Sequence, residues 1–453
     1  MRRLTIRLTL VFTVLVSAAL ACVLPGGSST PAPNAALTAA VETLSALNTA
    51  MAPTVPPAIT PEVTVPSAPL DPSPTSPAEP HLIGVDLIYK DAPRNLWAWK
   101  AGAAPVQLTT SGDVETIALS PDGTLAAFTR SSDYINYTLW VVPTAGGSER
   151  RLLTTSELFD LGRVDGAVAA TLDSLVWVPG SHKLAISTRP VFEGPGLLRN
   201  EDLIFIDADS GAQTPIFGHG EGGVYRFSPD GTRLAIARTD RVDLANWDGS
   251  GRLSGLVSFT PVLTYSEYAF YPEPVWAPDS SRFVFAVPPS ASLDSNGPTV
   301  LYQVNLDGSV STLRSFETAP LFWPVFSPDL AQAAYLTSPG DPFNLMLVQS
   351  SGDLGGLSIP AVRAFLSWAP DSIRFAYVDN ASGAVNIGSI AGTPPPLPGA
   401  VDVTDLAWLP DGRVVFITRT GSSGDLYISD FTGPATLLAS LGSGSGFPSF
   451  DLP

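Results

Sequence analysis

Phe227-Ser228-Pro229-Asp230-Gly231-Thr232-Arg233-Leu234-Ala235-Ile236-Ala237 is a strand end, a tight turn and a second strand written in eleven residues. Proline pre-sets φ at the first corner, aspartate bonds to the local backbone, and glycine takes the positive φ that lets the chain return. The apolar run that follows is too short for a helix and is bounded by turn residues, so it reads as a strand buried on both faces.

The same phrase recurs at Leu119-Ser120-Pro121-Asp122-Gly123, Trp177-Val178-Pro179-Gly180, Trp276-Ala277-Pro278-Asp279, Phe326-Ser327-Pro328-Asp329, Trp368-Ala369-Pro370-Asp371 and Trp408-Leu409-Pro410-Asp411-Gly412. From Pro121 to Pro410 the prolines stand 58, 50, 49, 50, 42 and 40 residues apart. A period of roughly 40 to 50 residues marks an array in which each unit buries its faces against its neighbours. Two further strand-like runs follow most copies, such as Thr138-Leu139-Trp140-Val141-Val142 and Arg151-Leu152-Leu153. Four antiparallel strands per repeat make an all-β protein, a β-propeller of four-stranded blades.

Residues 82 to 110 contain three strand-like runs with no first strand before them, and Phe447-Pro448-Ser449-Phe450-Asp451-Leu452-Pro453 aligns with Trp323-Pro324-Val325-Phe326-Ser327-Pro328. The C-terminus is therefore expected to complete the N-terminal blade, so that the free edges pair with each other. The preferred count is eight blades, with seven as the alternative. The Ser-Pro-Asp-Gly repeats resemble the WD-repeat-like propeller repeats of the TolB type, over roughly residues 82 to 453. The resemblance implies a propeller and is weak for function, because propellers of this kind serve as binding platforms, as gating domains of peptidases and as parts of sugar-active proteins. Gly180 departs from the pattern in place of aspartate, and Ser280, Leu330 and Ser372 depart in place of the turn glycine; the departures read as drift.

Arg2, Arg3 and Arg7 precede an apolar segment from Leu8 to Ala21 that ends in Ala19-Leu20-Ala21-Cys22. A basic start, a short apolar core and small residues at its end describe a secretory signal over residues 1 to 21. The cysteine after it resembles a bacterial lipobox, with Ala19 where leucine is usual. Cys22 is the chain's single cysteine, so no intramolecular disulfide can form, and lipidation at Cys22 is the expectation. An ordinary signal with an incidental cysteine is the alternative.

Residues 22 to 80 read as a tether: 13 prolines between Val23 and Pro80, many Ala, Ser and Thr, and no Lys or Arg. In polyproline form its reach is on the order of 180 Å. Leu37, Val41, Leu44, Leu47 and Met51 fall at helical spacing, read as a transient helix within Asn34 to Met51. The propeller is placed at residues 81 to 453. There 38 acidic residues face 21 basic ones, a net charge of −17, which repels nucleic acid and anionic head groups. Membrane attachment is then expected through the lipid anchor alone, on an exported, monomeric propeller at the outer face of the cytoplasmic membrane, the periplasm or the cell surface. The acidity is equally an ordinary solubility feature.

The residues offer little chemistry. His81, His182 and His219 form no ligand-spaced pair, and no Gly-x-Ser-x-Gly elbow is present. The chain also leaves no room after the propeller for the hydrolase domain of propeller-bearing peptidases. Asp207-Ala208-Asp209-Ser210-Gly211 lacks the further ligands of a calcium loop and reads as a hairpin turn. No catalytic residue, metal or cofactor is expected. Trp177, Trp276, Trp368 and Trp408 occupy one blade position and read as anchors between blades.

In a four-stranded meander the first-to-second and third-to-fourth connections lie on one face, and the others on the opposite face. Short turns fall on the first face. Long connections, such as 131–137, 155–173, 190–200, 260–273, 288–298 and 316–323, fall on the second. The second face also holds Tyr134, Tyr137, Phe159, Phe192, Tyr265, Tyr268, Phe270, Tyr271 and Phe322, read as a binding face because aromatic side chains on scaffold loops favour recognition. Plugging of the central channel is the alternative use of these rings. The leading function is a non-enzymatic, membrane-tethered module binding a protein or another cell-envelope component. The alternative is a carbohydrate-binding or carbohydrate-active propeller with Glu267 and Glu273 as candidate acids; a sensor ectodomain is a weaker third.

Overall fold

A computed structural model describes residues 84–453 apart from 194–197, 266–267, 291–297, 320–321, 338–341, 352–355, 422 and 445, and the side chains of 263–268 and 420. Signal, Cys22, tether, the Asn34–Met51 segment and His81 lie outside the described residues.

Seven four-stranded antiparallel blades form a propeller ring. The second blade, Val114–Leu119, Leu125–Arg130, Thr138–Pro143 and Arg150–Leu153, shows the plan: each strand pairs with the next in chain order. The first blade joins the chain ends. Ser449–Asp451 pairs with Leu87–Lys90 in the register Ile88↔Asp451, Tyr89↔Phe450 and Lys90↔Ser449. Phe450 is fully buried there beside Leu87 and Tyr89.

Seven is the alternative count, and the repeat at 364–398 explains the difference from eight. Its first strand is the second half of Gly356–Trp368, whose first half is the fourth strand of the preceding blade, so the two repeats share a six-stranded sheet. Arg374–Asp379 and Val385–Ser389 follow, with no fourth strand. The segment in its place, Thr393-Pro394-Pro395-Pro396-Leu397-Pro398, has four residues without an N–H and cannot build a ladder. Leu397 still packs against Val385, Ile387 and Leu406.

The repeat tryptophans end the first strands and reach into the blade before. Trp177 Nε1–H donates to Ala118 O at 3.1 Å, Trp276 to Arg226 O at 2.9 Å, Trp368 to Val325 O at 2.9 Å and Trp408 to Ser367 Oγ at 3.1 Å. Each acceptor immediately precedes the aromatic or leucine of the previous copy. All four rings are buried, which matches the anchor reading.

The turn position expected to need glycine is left-handed whatever residue occupies it: φ is +70° at Gly123, +71° at Gly231, +59° at Ser280, +64° at Leu330 and +59° at Ser372. The non-glycine residues are held there by packing or bonding, and are not simple drift. Ser280 Oγ accepts the Asp230 N–H at 3.1 Å and Ser372 Oγ accepts the Asp329 N–H at 3.0 Å, each linking one blade's turn to the next. Leu330 is buried among Phe326, Ala333 and Tyr335; burial of such a side chain, about 1.5–3 kcal/mol, offsets a left-handed cost of about 1–2 kcal/mol. Gly180 at φ +69° stands one residue earlier in its turn, and Ser181 N–H closes that turn on Val178 O.

His182 ties the turn at Asp122 to the hairpin turn at Asp209. Its Nε2 lies 3.0 Å from Asp122 Oδ2 and its Nδ1 3.2 Å from Asp209 Oδ2, so only the doubly protonated ring donates to both. Partial burial disfavours the charged ring, but the bonds and charges of Asp122 and Asp209 together outweigh it and hold the pKa above the usual imidazole value.

Two outcomes follow for solution measurements. Ser280→Ala keeps the strained backbone and loses the link to Asp230, and is expected to cost about 1 kcal/mol in urea unfolding, whereas Ser280→Gly relieves the strain and costs less. Equal losses would show that the hydroxyl bond contributes nothing. For His182 the folded pKa is raised, so its contribution is complete below the unfolded pKa and fades as pH rises through the folded one. The stability gap between the native chain and His182→Gln should therefore narrow from pH 5 to pH 9; a constant gap would contradict the bridge.

Candidate functional site

The long connections frame two charged clusters, both built around arginines. In the first, Arg94 takes φ +68°, buries its side chain, pairs with Glu115, and donates to Ser131 O and to Asp113 O at 3.3 Å. Arg130 lies 2.7 Å from Glu149 and 3.4 Å from Asp113, over the Trp140 ring. Above them stands the 131–137 loop. The Asp133 carboxylate accepts the N–H groups of Ile135 and Asn136 and the Asn136 amide at 2.7–3.0 Å, and these bonds lower its pKa. That turn presents Tyr134, at φ +60°, and Ile135 with 53% and 48% of their surface exposed, the Tyr134 ring 4.7 Å from the Arg94 guanidinium carbon.

The second cluster joins three blades. Asp173 pairs with Arg199 at 3.2 Å, and Arg199 covers the Tyr271 ring at 5.0 Å. The Tyr271 hydroxyl donates to Glu201 Oε1 at 2.7 Å, and Glu201 pairs with Arg238 at 2.8 Å. Burial, and the Glu201 carboxylate that accepts its proton, push the Tyr271 pKa up, so the phenol stays neutral and donating. Beneath lies Asp202, 1% exposed, accepting Thr188 N–H at 2.7 Å and Thr188 Oγ1–H at 2.6 Å. Asn200 donates to Thr188 Oγ1 and Gly162 O. Burial raises the Asp202 pKa despite those bonds and His219, whose Nε2 is 3.7 Å away.

The described aromatic residues expected to form one face differ in their surroundings. Phe270 is buried edge-on against Trp323, centroids 4.7 Å apart, and Phe322 lies 4.8 Å from Phe343. Tyr137 is half-buried against the core between the second and third blades, and Phe192 is half-buried. Tyr265 and Tyr268 pair opposite each other in the hairpin Leu263–Tyr265, Tyr268–Ala269; their side chains, and Glu267, lie outside the described residues. Glu273 is half-buried.

Phe159 lies on a helix, Thr155–Gly162, where the long connection was expected to be irregular. Thr154 and Glu157 form a capping box: the Thr154 hydroxyl accepts Glu157 N–H, and the Glu157 carboxylate accepts Thr154 N–H at 2.8 Å. The Thr-x-x-Glu spacing was the sequence signal for it. Among the described residues no three His, Cys, Asp or Glu side chains gather as metal ligands, and no described helix is long and apolar enough to cross a membrane, which says nothing of spanning by strands. Asp207-Ala208-Asp209-Ser210-Gly211 is a turn in which Asp207 Oδ1 accepts Asp209 and Ser210 N–H, with Gly211 at φ +81°.

The class these features define is a β-propeller whose loops on one face are braced by arginine and carboxylate pairs. No family model and no curated protein matches the chain. Similar solved structures include a eukaryotic initiation factor at 11% identity and TM-score 0.49, covering 82% of this chain and 99% of that one. A prolyl endopeptidase has 16% identity and TM-score 0.47, covering 75% and 50%. TolB from Acinetobacter baumannii has 18% identity and TM-score 0.36, covering 72% and 66%. The chain thus spans half of the peptidase and just under two thirds of TolB, and these likenesses transfer no activity or partner.

The bracing carries a prediction. Tyr271→Phe removes the bond to the Glu201 carboxylate and is expected to cost about 1.5 kcal/mol, while Asp173→Ala, which leaves Arg199 unpaired, costs more. Thermal unfolding of both variants checks the order.

Proposed function

We propose that this chain is an exported, lipid-tethered β-propeller that binds a protein or another cell-envelope component through its long-loop face and catalyses no reaction. One observation carries the orientation of this reading. The first described residues, Gly84 and Val85, bond to the turn at Asp122 and Gly123, with Gly84 N–H donating to Asp122 O and Val85 N–H to Gly123 O at 2.9 Å. A Cβ on Gly84 would stand 1.9 Å from Gly123 O, so only glycine fits this approach. The chain therefore enters the propeller at the short-turn face, opposite the long loops. Tyr134 and Ile135, presented there on a turn already ordered by Asp133, meet a partner with little entropy left to lose.

Catalysis is disfavoured by the saturation of the loop-face acids: Glu201 and Asp173 are each paired with an arginine and Asp202 is buried. Of the acids of the sugar-cleaving alternative, Glu267 lies outside the described residues, so no specific geometry favours it.

Two measurements test the reading. Cys22→Ser should abolish incorporation of labelled fatty acid and move the chain from the membrane fraction to the soluble one; retention on membranes without the label would exclude the lipid anchor. Crosslinking and capture from native membranes with the full chain should yield a reproducible partner that Tyr134→Ala combined with Ile135→Ala weakens about ten-fold, roughly 1.4 kcal/mol, with no change in melting temperature. A partner indifferent to both substitutions would place binding elsewhere.

A further inference from the structure

On the short-turn face, away from the long loops, the third and fourth blades leave a groove of about 260 Å³ between them. Its floor is aromatic. Trp247 lies parallel to buried Phe205, planes 8° and centroids 5.6 Å apart, and its backbone N–H donates to Thr232 O at 3.0 Å. The wall depends on a glycine. Gly249, at φ +81°, comes so close to the third blade that a Cβ would stand 2.8 Å from Ile216 Cγ2, so a larger residue would push the turn away.

The polar groups of this groove are incompletely used. Lys183 is half-buried, with its Nζ over the Trp247 ring at 5.0 Å and its charge lowering the Asp207 pKa, but it has no hydrogen-bond acceptor and no ion pair within 4 Å among the described residues. Asp207 and Asp248 each employ Oδ1 in their own turns, on Ser210 and Ser250 respectively, and Oδ2 of each accepts no bond among the described residues. An ammonium with unspent donors, two carboxylate oxygens with unspent lone pairs and a flat apolar surface are together unlike a hydrophobic seam or a finished ion pair.

We propose that this groove binds a single saccharide ring carrying no negative charge. The apolar face of such a ring contacts Trp247, its hydroxyls donate to Oδ2 of Asp207 and Asp248, and its oxygens accept from Lys183 Nζ. The chemistry follows from the groups present: a sugar ring is the small ligand whose donors and acceptors alternate around an apolar plane, and aromatic rings with a few placed polar groups hold such ligands. Two carboxylates against one ammonium disfavour an anionic sugar. The volume lies below the roughly 300–1,000 Å³ of sites for larger ligands, which limits the occupant to one ring. The inference does not rest on the loop-face reading, since the two sites share no residue.

The test is a ligand-observed NMR titration of the full chain with the methyl glycosides of glucose, galactose, mannose, glucosamine and glucuronic acid. At least one of the first four is expected to bind saturably in the millimolar range, with the glucuronide about ten-fold weaker or weaker still. Lys183→Met and Asp248→Asn should each reduce binding about ten-fold while leaving the melting temperature unchanged. Trp247→Ala should abolish it, but this variant also removes the Phe205 stack, so the other two variants carry the decision. The proposal is overturned if none of the five probes binds saturably, if the glucuronide binds best, or if Lys183→Met and Asp248→Asn bind as the native chain does.

Discussion

Each blade of a propeller has two open flanks, and the structure depends on how neighbouring blades hold one another. Here the decisive interaction is a tryptophan N–H donated across the seam to the residue before the aromatic or leucine of the preceding repeat, seen at Trp177, Trp276, Trp368 and Trp408. A buried indole must place its N–H on an acceptor. That requirement sets the distance and rotation between first strands, which the apolar contacts around the ring would leave adjustable. Serines at the turn repeat the device on the short-turn face, where Ser280 and Ser372 accept N–H groups from Asp230 and Asp329. Each seam that carries both is pinned at two places, and its blades cannot splay without breaking a bond in a dry environment.

The same constraint governs closure. A ring of pinned blades gains nothing at its last seam unless the chain ends meet, and only three residues, Ser449–Asp451, are available for the pairing with Leu87–Lys90. The short strand is reinforced sideways: Asp451 Oδ2 accepts Leu119 N–H at 2.7 Å, so the C-terminal strand is tied to the second blade as well as the first. The carboxylate serves at this seam as the indole N–H serves at the others, with donor and acceptor exchanged. Closure thereby removes two sheet edges that would otherwise pair with another chain.

Much of this was legible in the residues. The turn phrase, its period and the alignment of Phe447–Pro453 with Trp323–Pro328 identify the blades and the closing strand, because they express local rules of turn and strand. The repeat at 364–398 was less legible: its turn phrase keeps Trp368, Pro370 and Asp371, while the lost fourth strand depends on Pro394, Pro395, Pro396 and Pro398, which stand outside that phrase. Ser280 and Ser372 looked like degraded glycines because their compensation comes from a residue 50 or 43 positions earlier. The aromatic set on the long loops was visible as a composition, but whether a ring meets a core, as Phe270 does, or an arginine, as Tyr134 and Tyr271 do, is decided by partners distant in sequence. The helix at Thr155–Gly162 is a different case, since its capping box stands in four adjacent residues.

The division between the two faces follows from the pinning. Turns on the short-turn face are part of the seam, so their side chains are fixed by the ring: Asp122 serves His182, Asp230 serves Ser280, and Gly123 receives Gly84. Loops on the other face vary more in length, and they cross between blades through side-chain pairs such as Arg238 with Glu201. Their length, however, brings charges over a low-dielectric core, and arginines answer this by drawing carboxylates into pairs, Arg94 with Glu115, Arg199 with Asp173 and Arg238 with Glu201. Such pairs contribute little net stability once desolvation is counted, so their effect is geometric: they hold long loops in one arrangement.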